Sequence, residues 1–204
     1  MDDPRAEAIL VAAFQVFVEN GFERATMLEI ATLAKVSKQT LYALFADKDG
    51  LFEALMRWGS MRHAQLPSVD SEIDPAAALH AIAFRTAREV FRWQSLALTR
   101  IAFSEAPRRP KLAAFYRTQA SNETNAPLLE QAHILEKHGI IRPGASESFA
   151  RDLASLLRGQ LYYDAMLGVT PPPPKAQIET HARSAVETAL RAYAGKPSAR
   201  AKLR

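Results

Sequence analysis

Apolar residues recur at a helical period from the start of the chain. Ile9, Leu10, Ala13, Phe14 and Phe17 fall on one face of a helix over residues 5–19, because side chains three and four apart stack on the same side. Asn20-Gly21 ends it, since glycine enters the left-handed conformation without a Cβ clash. The next stretch opens with Thr26-Met27-Leu28-Glu29, the spacing of a capping box in which threonine and glutamate satisfy each other's amides. Ile30, Leu33 and Ala34 give that second helix its apolar face, and Lys35-Val36 breaks it. Ser37 is positioned to cap a third helix with Leu41, Leu44 and Phe45 turned inward. Asp47 caps a fourth over 47–66, carrying Leu51, Phe52, Leu55, Met56 and Trp58.

The remainder continues in the same period. Residues 67–74 read as a loop, and Asp74-Pro75 starts a helix with cap and N1 proline in the preferred order. Further helices are expected over 75–91, 94–105, 111–138, 146–168 and 174–194. The 111–138 helix is expected to bend near Pro127, which lacks an amide. Gly139 ends it, and Pro171 to Pro174 separate the last two helices. Neither an internal repeat nor a strand pattern is visible. The expected fold is all-α, with an N-terminal three-helix domain over 1–46 and a C-terminal helical bundle over 47–204. The helix at 47–66 links the two, and 195–204 is a flexible tail.

Residues 26–45 spell helix, short turn, helix behind a longer helix, which is the helix-turn-helix arrangement. The third helix is too short to be stable alone, because nucleation costs more than two turns return. Packing of Leu41 and Phe45 must hold it. That leaves Lys38, Gln39, Thr40 and Tyr42 outward on an element narrow enough for a DNA major groove. Lys38 and Lys48 can neutralise phosphates, and hydroxyls of Thr26 and Tyr42 can position against them. Gln39 can pair with adenine, and Thr40 can meet a thymine methyl.

Composition alters this picture only in part. The 204 residues are 48% hydrophobic with 8 Gly and no Cys, which fits a helical core and excludes disulfides and cysteine metal sites. The net charge of +4 points weakly to an anionic partner. Residues 1–50, however, hold five Lys/Arg against eight Asp/Glu, a net −3. The positive signal for nucleic acid is therefore local, at Lys35, Lys38 and Lys48. A basic leader and a long uncharged apolar run are both missing, so a signal peptide and a membrane span are not expected, and a cytoplasmic location is.

The N-terminal motifs resemble those of TetR-family transcriptional regulators. The resemblance rests on Ile-Leu-Val-Ala-Ala-Phe at 9–14, Asn-Gly-Phe at 20–22, Thr-Met-Leu-Glu-Ile-Ala at 26–31, Val-Ser-Lys-Gln-Thr-Leu-Tyr at 36–42, Phe45, and Lys-Asp-Gly-Leu-Phe at 48–52. Ser-Glu-Ala-Pro-Arg-Arg-Pro at 104–110 and Leu-Leu-Arg-Gly-Gln at 156–160 resemble the C-terminal domain of an AcrR- or AefR-like branch. The resemblance implies a homodimeric, ligand-responsive repressor that binds a palindromic operator in double-stranded DNA and is released by a small-molecule effector. It implies that Thr26, Lys38, Tyr42 and Lys48 touch phosphates, and that Ser37, Gln39 and Thr40 lie in or beside the groove. Two positions depart from the family pattern. Lys35 stands where the family usually has glycine, so it must either take a positive φ or shift the turn, and it can add a phosphate contact. Ala43 and Leu44 replace an aromatic residue and a histidine.

Bulky and polar residues of the second domain give a candidate effector pocket: Phe84, Trp93, Arg100, Phe103, Tyr116, His133, Tyr162 and Met166. Sites between bundled helices are mostly apolar with a few polar groups, so an apolar or aromatic effector is expected. Leu153, Leu156, Leu157 and Gln160, with Ile178, Ala182, Ala185, Val186 and Ala189, form wide apolar faces. They either close the domain's own core or, as the resemblance implies, pair across a two-fold axis into a four-helix dimer interface. The five histidines are scattered, so no metal and no cofactor are expected. Two other readings stand beside the regulator. One is a helical binding or scaffolding module without DNA binding. The other is a helical enzyme, for which no catalytic constellation is present.

Overall fold

The computed structural model describes residues 3–61 and 73–195, without the side chains of 59–61 and 120–124. The expected loop at 67–74 falls mostly outside the described residues, as do the end of the fourth helix and residues 196–204 of the expected tail. The described residues form helices α1 (Pro4–Arg24), α2 (Met27–Leu33), α3 (Lys38–Phe45), α4 (Lys48–Met61), α5 (Pro75–Val90), α6 (Trp93–Glu105), α7 (Pro110–Lys137), α8 (Ser146–Leu167) and α9 (Lys175–Tyr193). An isolated antiparallel bridge joins Ile141 and Ala194.

The local signals act as the sequence predicts. The Thr26 hydroxyl accepts the Glu29 amide at 3.2 Å, and the Glu29 carboxylate accepts the Thr26 amide at 2.9 Å. Ser37 Oγ accepts the Thr40 amide at 3.0 Å, and Asp47 accepts the Gly50 amide at 2.7 Å. Asp74 caps α5 through the Ala77 amide at 2.9 Å, with Pro75 following it. Each bond satisfies an amide that the helix's own geometry leaves without a partner. Gly21 breaks α1 with φ 74°, and one further turn runs on to Arg24.

Two backbone features bear on the sequence pattern. Lys35 does take the positive φ, at 56°. The helix expected unbroken over 146–168 is kinked, because Gly159 sits at φ 53° and ψ −162° inside α8. Pro127 lies inside α7, which continues through it as one helix.

The chain divides into two compact units. The first comprises residues 1–65 and 93–120, and the second residues 66–92 and 121–204. In the first, α1, α2, α3 and α4 close around Ile9, Leu10, Phe17, Phe22, Ile30, Leu41, Phe52 and Leu55, all under 3% exposed. Phe17, Phe22 and Phe52 form a ring cluster with centroids 5.2 to 5.6 Å apart. Each such pair adds about 0.5–1.5 kcal/mol beyond area burial. Leu98 and Ile101 of α6 and Leu112 of α7 complete the same core. The second unit packs α5, α8 and α9 on one another. Leu79, Leu128, Leu135, Ile141, Phe149, Leu153, Leu157 and Val186 are among its fully buried positions. Buried Gln131 ties α7 to the start of α5 by donating to the Pro75 carbonyl at 2.8 Å.

Candidate nucleic-acid interface

Helix α3 has two faces with opposite fates. Leu41 is fully buried and Phe45 is 9% exposed, both in the core shared with α1, α2 and α4. Lys38, Gln39, Ala43 and Leu44 are exposed, and Tyr42 is 41% exposed. The inward anchor expected at Leu44 is therefore not used: at 40% exposure it belongs to the outer surface. One residue before Phe45 on an eight-residue helix, it is turned about 100° from the buried line set by Leu41 and Phe45.

The candidate contact residues differ in how much of their bonding capacity remains. Among the described residues, Lys35, Lys38 and Gln39 make no hydrogen bond or ion pair. The Lys38 ammonium lies 5.7 Å from the Tyr42 ring centroid, a cation–π distance that holds both side chains on one patch. Ser37 and Thr40 hydroxyls bond each other at 2.8 Å, and the Thr26 hydroxyl donates to Glu29 at 2.8 Å. Those groups are therefore oriented by the caps they form.

Lys48 is committed differently from a free surface lysine. Its ammonium donates to the carbonyls of Phe22, Glu23 and Ala25 at 2.7, 3.0 and 3.1 Å. It also lies 4.7 Å from the Phe22 ring centroid. Three N–H groups thus meet three acceptors, which is the full donor count of a lysine. Lys48 ties the first turn of α4 to the carbonyl-rich end of α1 and keeps its charge there.

Residues 106–110 fall between the helices expected over 94–105 and 111–138, so the helical pattern gives Arg108 and Arg109 no partners. The structure gives Arg109 definite partners. Its Nη1 donates to both Asp49 oxygens at 2.8 and 3.1 Å, and its Nη2 donates to Glu23 at 3.2 Å. The hydrogen bond from Arg109 holds the Glu23 carboxyl below its ordinary value. Burial works against the Arg109 cation, but the Glu23 hydrogen bond and the Asp49 and Glu23 charges outweigh it, so its value is raised. These partners lie 60 and 86 residues away, beyond any local pattern.

The eight candidate pocket residues divide between the units. Trp93, Arg100, Phe103 and Tyr116 belong to the first. There Trp93 packs edge-on to Phe14 at 5.1 Å, and Tyr116 bonds Thr99 at 2.7 Å and faces Phe103 at 6.1 Å. Phe84, His133, Tyr162 and Met166 belong to the second. Tyr162 is a buried core residue against Phe91, and His133 is exposed. An open groove of about 350 Å³ runs between α5 and α9, lined by His80, Ala81, Phe84, Glu179, Ala182, Arg183 and Glu187. Of the eight candidates Phe84 lines it; Glu179, Arg183 and Glu187, which also line it, share one face of α9 at helical spacing.

The candidate interface residues also sort by burial. Leu153, Leu157, Ile178, Ala182, Ala185, Val186 and Ala189 are all under 8% exposed within the single chain. They pack within their own unit in the single chain. Leu156 at 37% and Gln160 remain outward. The same helix exposes Tyr163 at 61% and Leu167 at 77%.

No group of three or more His, Asp or Glu able to hold a metal occurs among the described residues. No helix among them is long and apolar enough to cross a membrane.

The scaffold and the outward face of α3 define a helix-turn-helix protein. Residues 9–55 match the family described as bacterial regulatory proteins, tetR family, and residues 77–195 match the AefR-like transcriptional repressor, C-terminal domain. The second match alone takes in more than half of the chain, and the chain belongs to the TetR family of transcriptional regulators. It is 33% identical over 76 residues to the HTH-type transcriptional repressor BepR of Brucella suis biovar 1, covering 37% of this chain and 36% of that one. It is 44% identical over 55 residues to the HTH-type transcriptional activator FasR of Mycolicibacterium smegmatis, covering 27% and 25%. The chain thus spans about a third or less of the length of these curated relatives. Similarity to solved structures extends further. A TetR transcriptional regulator from Agrobacterium tumefaciens has a TM-score of 0.79 at 25% identity, over 95% of this chain and 96% of that one. The Flavonoid-responsive Regulator FrrA has a TM-score of 0.78 at 26% identity, over 94% and 98%. The family acts in transcription regulation rather than as enzymes.

Proposed function

We propose that this protein is a ligand-responsive repressor that binds a palindromic operator as a homodimer and is released by a small, largely apolar or aromatic effector. The observation that carries this reading is the outward face of α3. Gln39 and Lys38 stand exposed with their donors and acceptors unspent, while Leu41 and Phe45 anchor the opposite face. Gln39 reads a base edge and Thr40 meets a thymine methyl, as their chemistry allows. Lys35, Lys38 and Tyr42 reach phosphates, and Ser37 and Thr26 set the ends of their helices against the backbone. Lys48 contributes charge from a fixed position. A dimer places two such helices about 34–36 Å apart, or a multiple of that, to meet successive grooves.

The second copy docks along α8, where Leu156, Gln160, Tyr163 and Leu167 are exposed. The buried α8 and α9 positions support that face from behind. The effector enters the second unit. The α5–α9 groove, lined by Phe84 with the polar His80, Glu179, Arg183 and Glu187, has the volume of a small-ligand site. The name of the similar flavonoid-responsive regulator supports an aromatic effector class.

Mobility-shift assays with the promoter region beside its own gene test the reading. A retarded complex that weakens with salt and with Gln39→Ala is expected. Failure to retard any such fragment at low salt would overturn it.

A further inference from the structure

We propose that Arg109 is a positioning residue for operator recognition: it fastens the corner between α6 and α7 to both ends of the reading head and so fixes the direction in which α3 is presented. The proposal rests on the DNA-binding reading above.

The corner at 105–110 is built around one guanidinium. Arg109 reaches Asp49 in the first turn of α4 and Glu23 near the end of α1. Those two elements flank α2 and α3 in the chain. Its Cζ also lies 4.7 Å from the Phe22 ring centroid, the same ring that Lys48 approaches at 4.7 Å. Phe22 thus carries two cations: Lys48 bonds backbone carbonyls at the end of α1, and Arg109 bonds the Glu23 and Asp49 carboxylates.

Glu105 shows that the arrangement is specific. Its side chain is 6% exposed, and its Oε2 lies 3.5 Å from Arg109 Nε. Both atoms are buried without a hydrogen-bond partner, so they meet as an ion pair only. A carboxylate in that position is costly unless a cation faces it. Removing Arg109 would leave Glu23, Asp49 and Glu105 with no shared cation.

Apolar contacts from Leu98 and Ile101 already hold α6 against the head. Such contacts are non-directional and tolerate sliding. A planar fork that engages two carboxylates is directional, so it fixes an angle where the apolar contacts fix only a distance. Since the guanidinium is already engaged, Arg109 acts without a phosphate contact of its own.

The test uses the full-length protein and DNA enriched by the wild type from a random-sequence pool. Affinity and its salt dependence are measured for Arg109→Ala, Arg109→Lys, Asp49→Asn and the Arg109→Ala/Asp49→Asn double variant, well below their unfolding temperatures. Arg109→Ala is expected to weaken binding about tenfold with the slope of log K against log salt unchanged. Arg109→Lys, which keeps the charge and loses the fork, restores only part. Asp49→Asn removes a negative charge, so simple electrostatics would tighten binding, whereas loss of position weakens it. The double variant should be no weaker than Arg109→Ala alone.

Wild-type affinity in Arg109→Ala, a slope shallower by about one per half-site, tighter binding by Asp49→Asn, or additive losses would each overturn the assignment. If Arg109→Ala does not unfold cooperatively, Arg109→Lys and Asp49→Asn decide by the same criteria. A wild type that enriches no sequence overturns the operator reading and this proposal together. Variants that match a DNA-binding wild type overturn this proposal alone.

Discussion

The imidazole of His181 crowds the position that a Cβ on Gly159 would take. A Cβ at Gly159 would lie 3.3 Å from His181 Cε1, and His181 Nε2 lies 3.0 Å from the Leu157 carbonyl. The ring from α9 thus bonds a carbonyl next to the kink that Gly159 makes in α8. The glycine's φ 53° and ψ −162° lie in a region open essentially only to glycine.

Gly159→Ala should therefore destabilise the protein by about 1–3 kcal/mol, read by urea unfolding. The same substitution at Gly21, which has nothing within 4 Å of its Cβ position, carries the positive-φ penalty alone. An equal loss at both positions would show that His181 adds nothing at the kink.

Gln39 and Lys38 should separate in their effects on DNA. Gln39→Ala should cost about 1–3 kcal/mol against the preferred base and relax selection at that position. Lys38→Ala should weaken all sequences alike and reduce the salt slope by about one for each half-site. Fluorescence anisotropy over a salt series, on operators altered one base pair at a time, distinguishes the two.

Lys35 holds its φ of 56° at a steric cost of about 1–2 kcal/mol. Glycine removes that cost but adds about 0.5–1 kcal/mol of backbone entropy to the unfolded chain. Lys35→Gly should thus raise stability by about 0.5–1 kcal/mol while losing a cation beside α3. Higher melting temperature together with weaker, less salt-dependent DNA binding is the expected result.

Glu136 of α7 supplies the cap that α8 lacks. Ala145, at the N-cap of α8, offers no side-chain bond. The Glu136 carboxylate instead accepts the Ser146 hydroxyl, the Gly144 amide at 2.7 Å and the Ser146 amide at 3.2 Å. The Ser146 hydroxyl bond, then the Gly144 amide, holds its pKa below the ordinary 4.5. A carboxyl lowered on folding stabilises the native state above its unfolded value, and that contribution is lost as pH falls below 4.5 through the folded value. Glu23, lowered by Arg109, acts with the same sign. Glu136→Gln should flatten the acid side of the stability profile below pH 4.5 and lower stability at pH 7.

Much of the reading head was legible in the order of residues. Thr26 with Glu29 and Ser37 with Thr40, like Asp74 with Ala77 at the start of α5, are contacts between near neighbours, and a helix terminus demands them wherever it stands. The inward set Leu41 and Phe45 follows from the helical period, and so does the outward set Lys38, Gln39 and Tyr42. Those features depend on spacing along the chain, and spacing is what a sequence contains.

The long-range partnerships came only with tertiary structure. Arg109 read as part of a loop until Asp49 and Glu23 were brought to it. Lys48 read as a free cation until three carbonyls took up its donors. Ala182, Val186 and Leu153 have the same apolar character whether they face their own core or another copy, because hydrophobic burial has no direction. Periodicity finds such a face; packing decides what covers it.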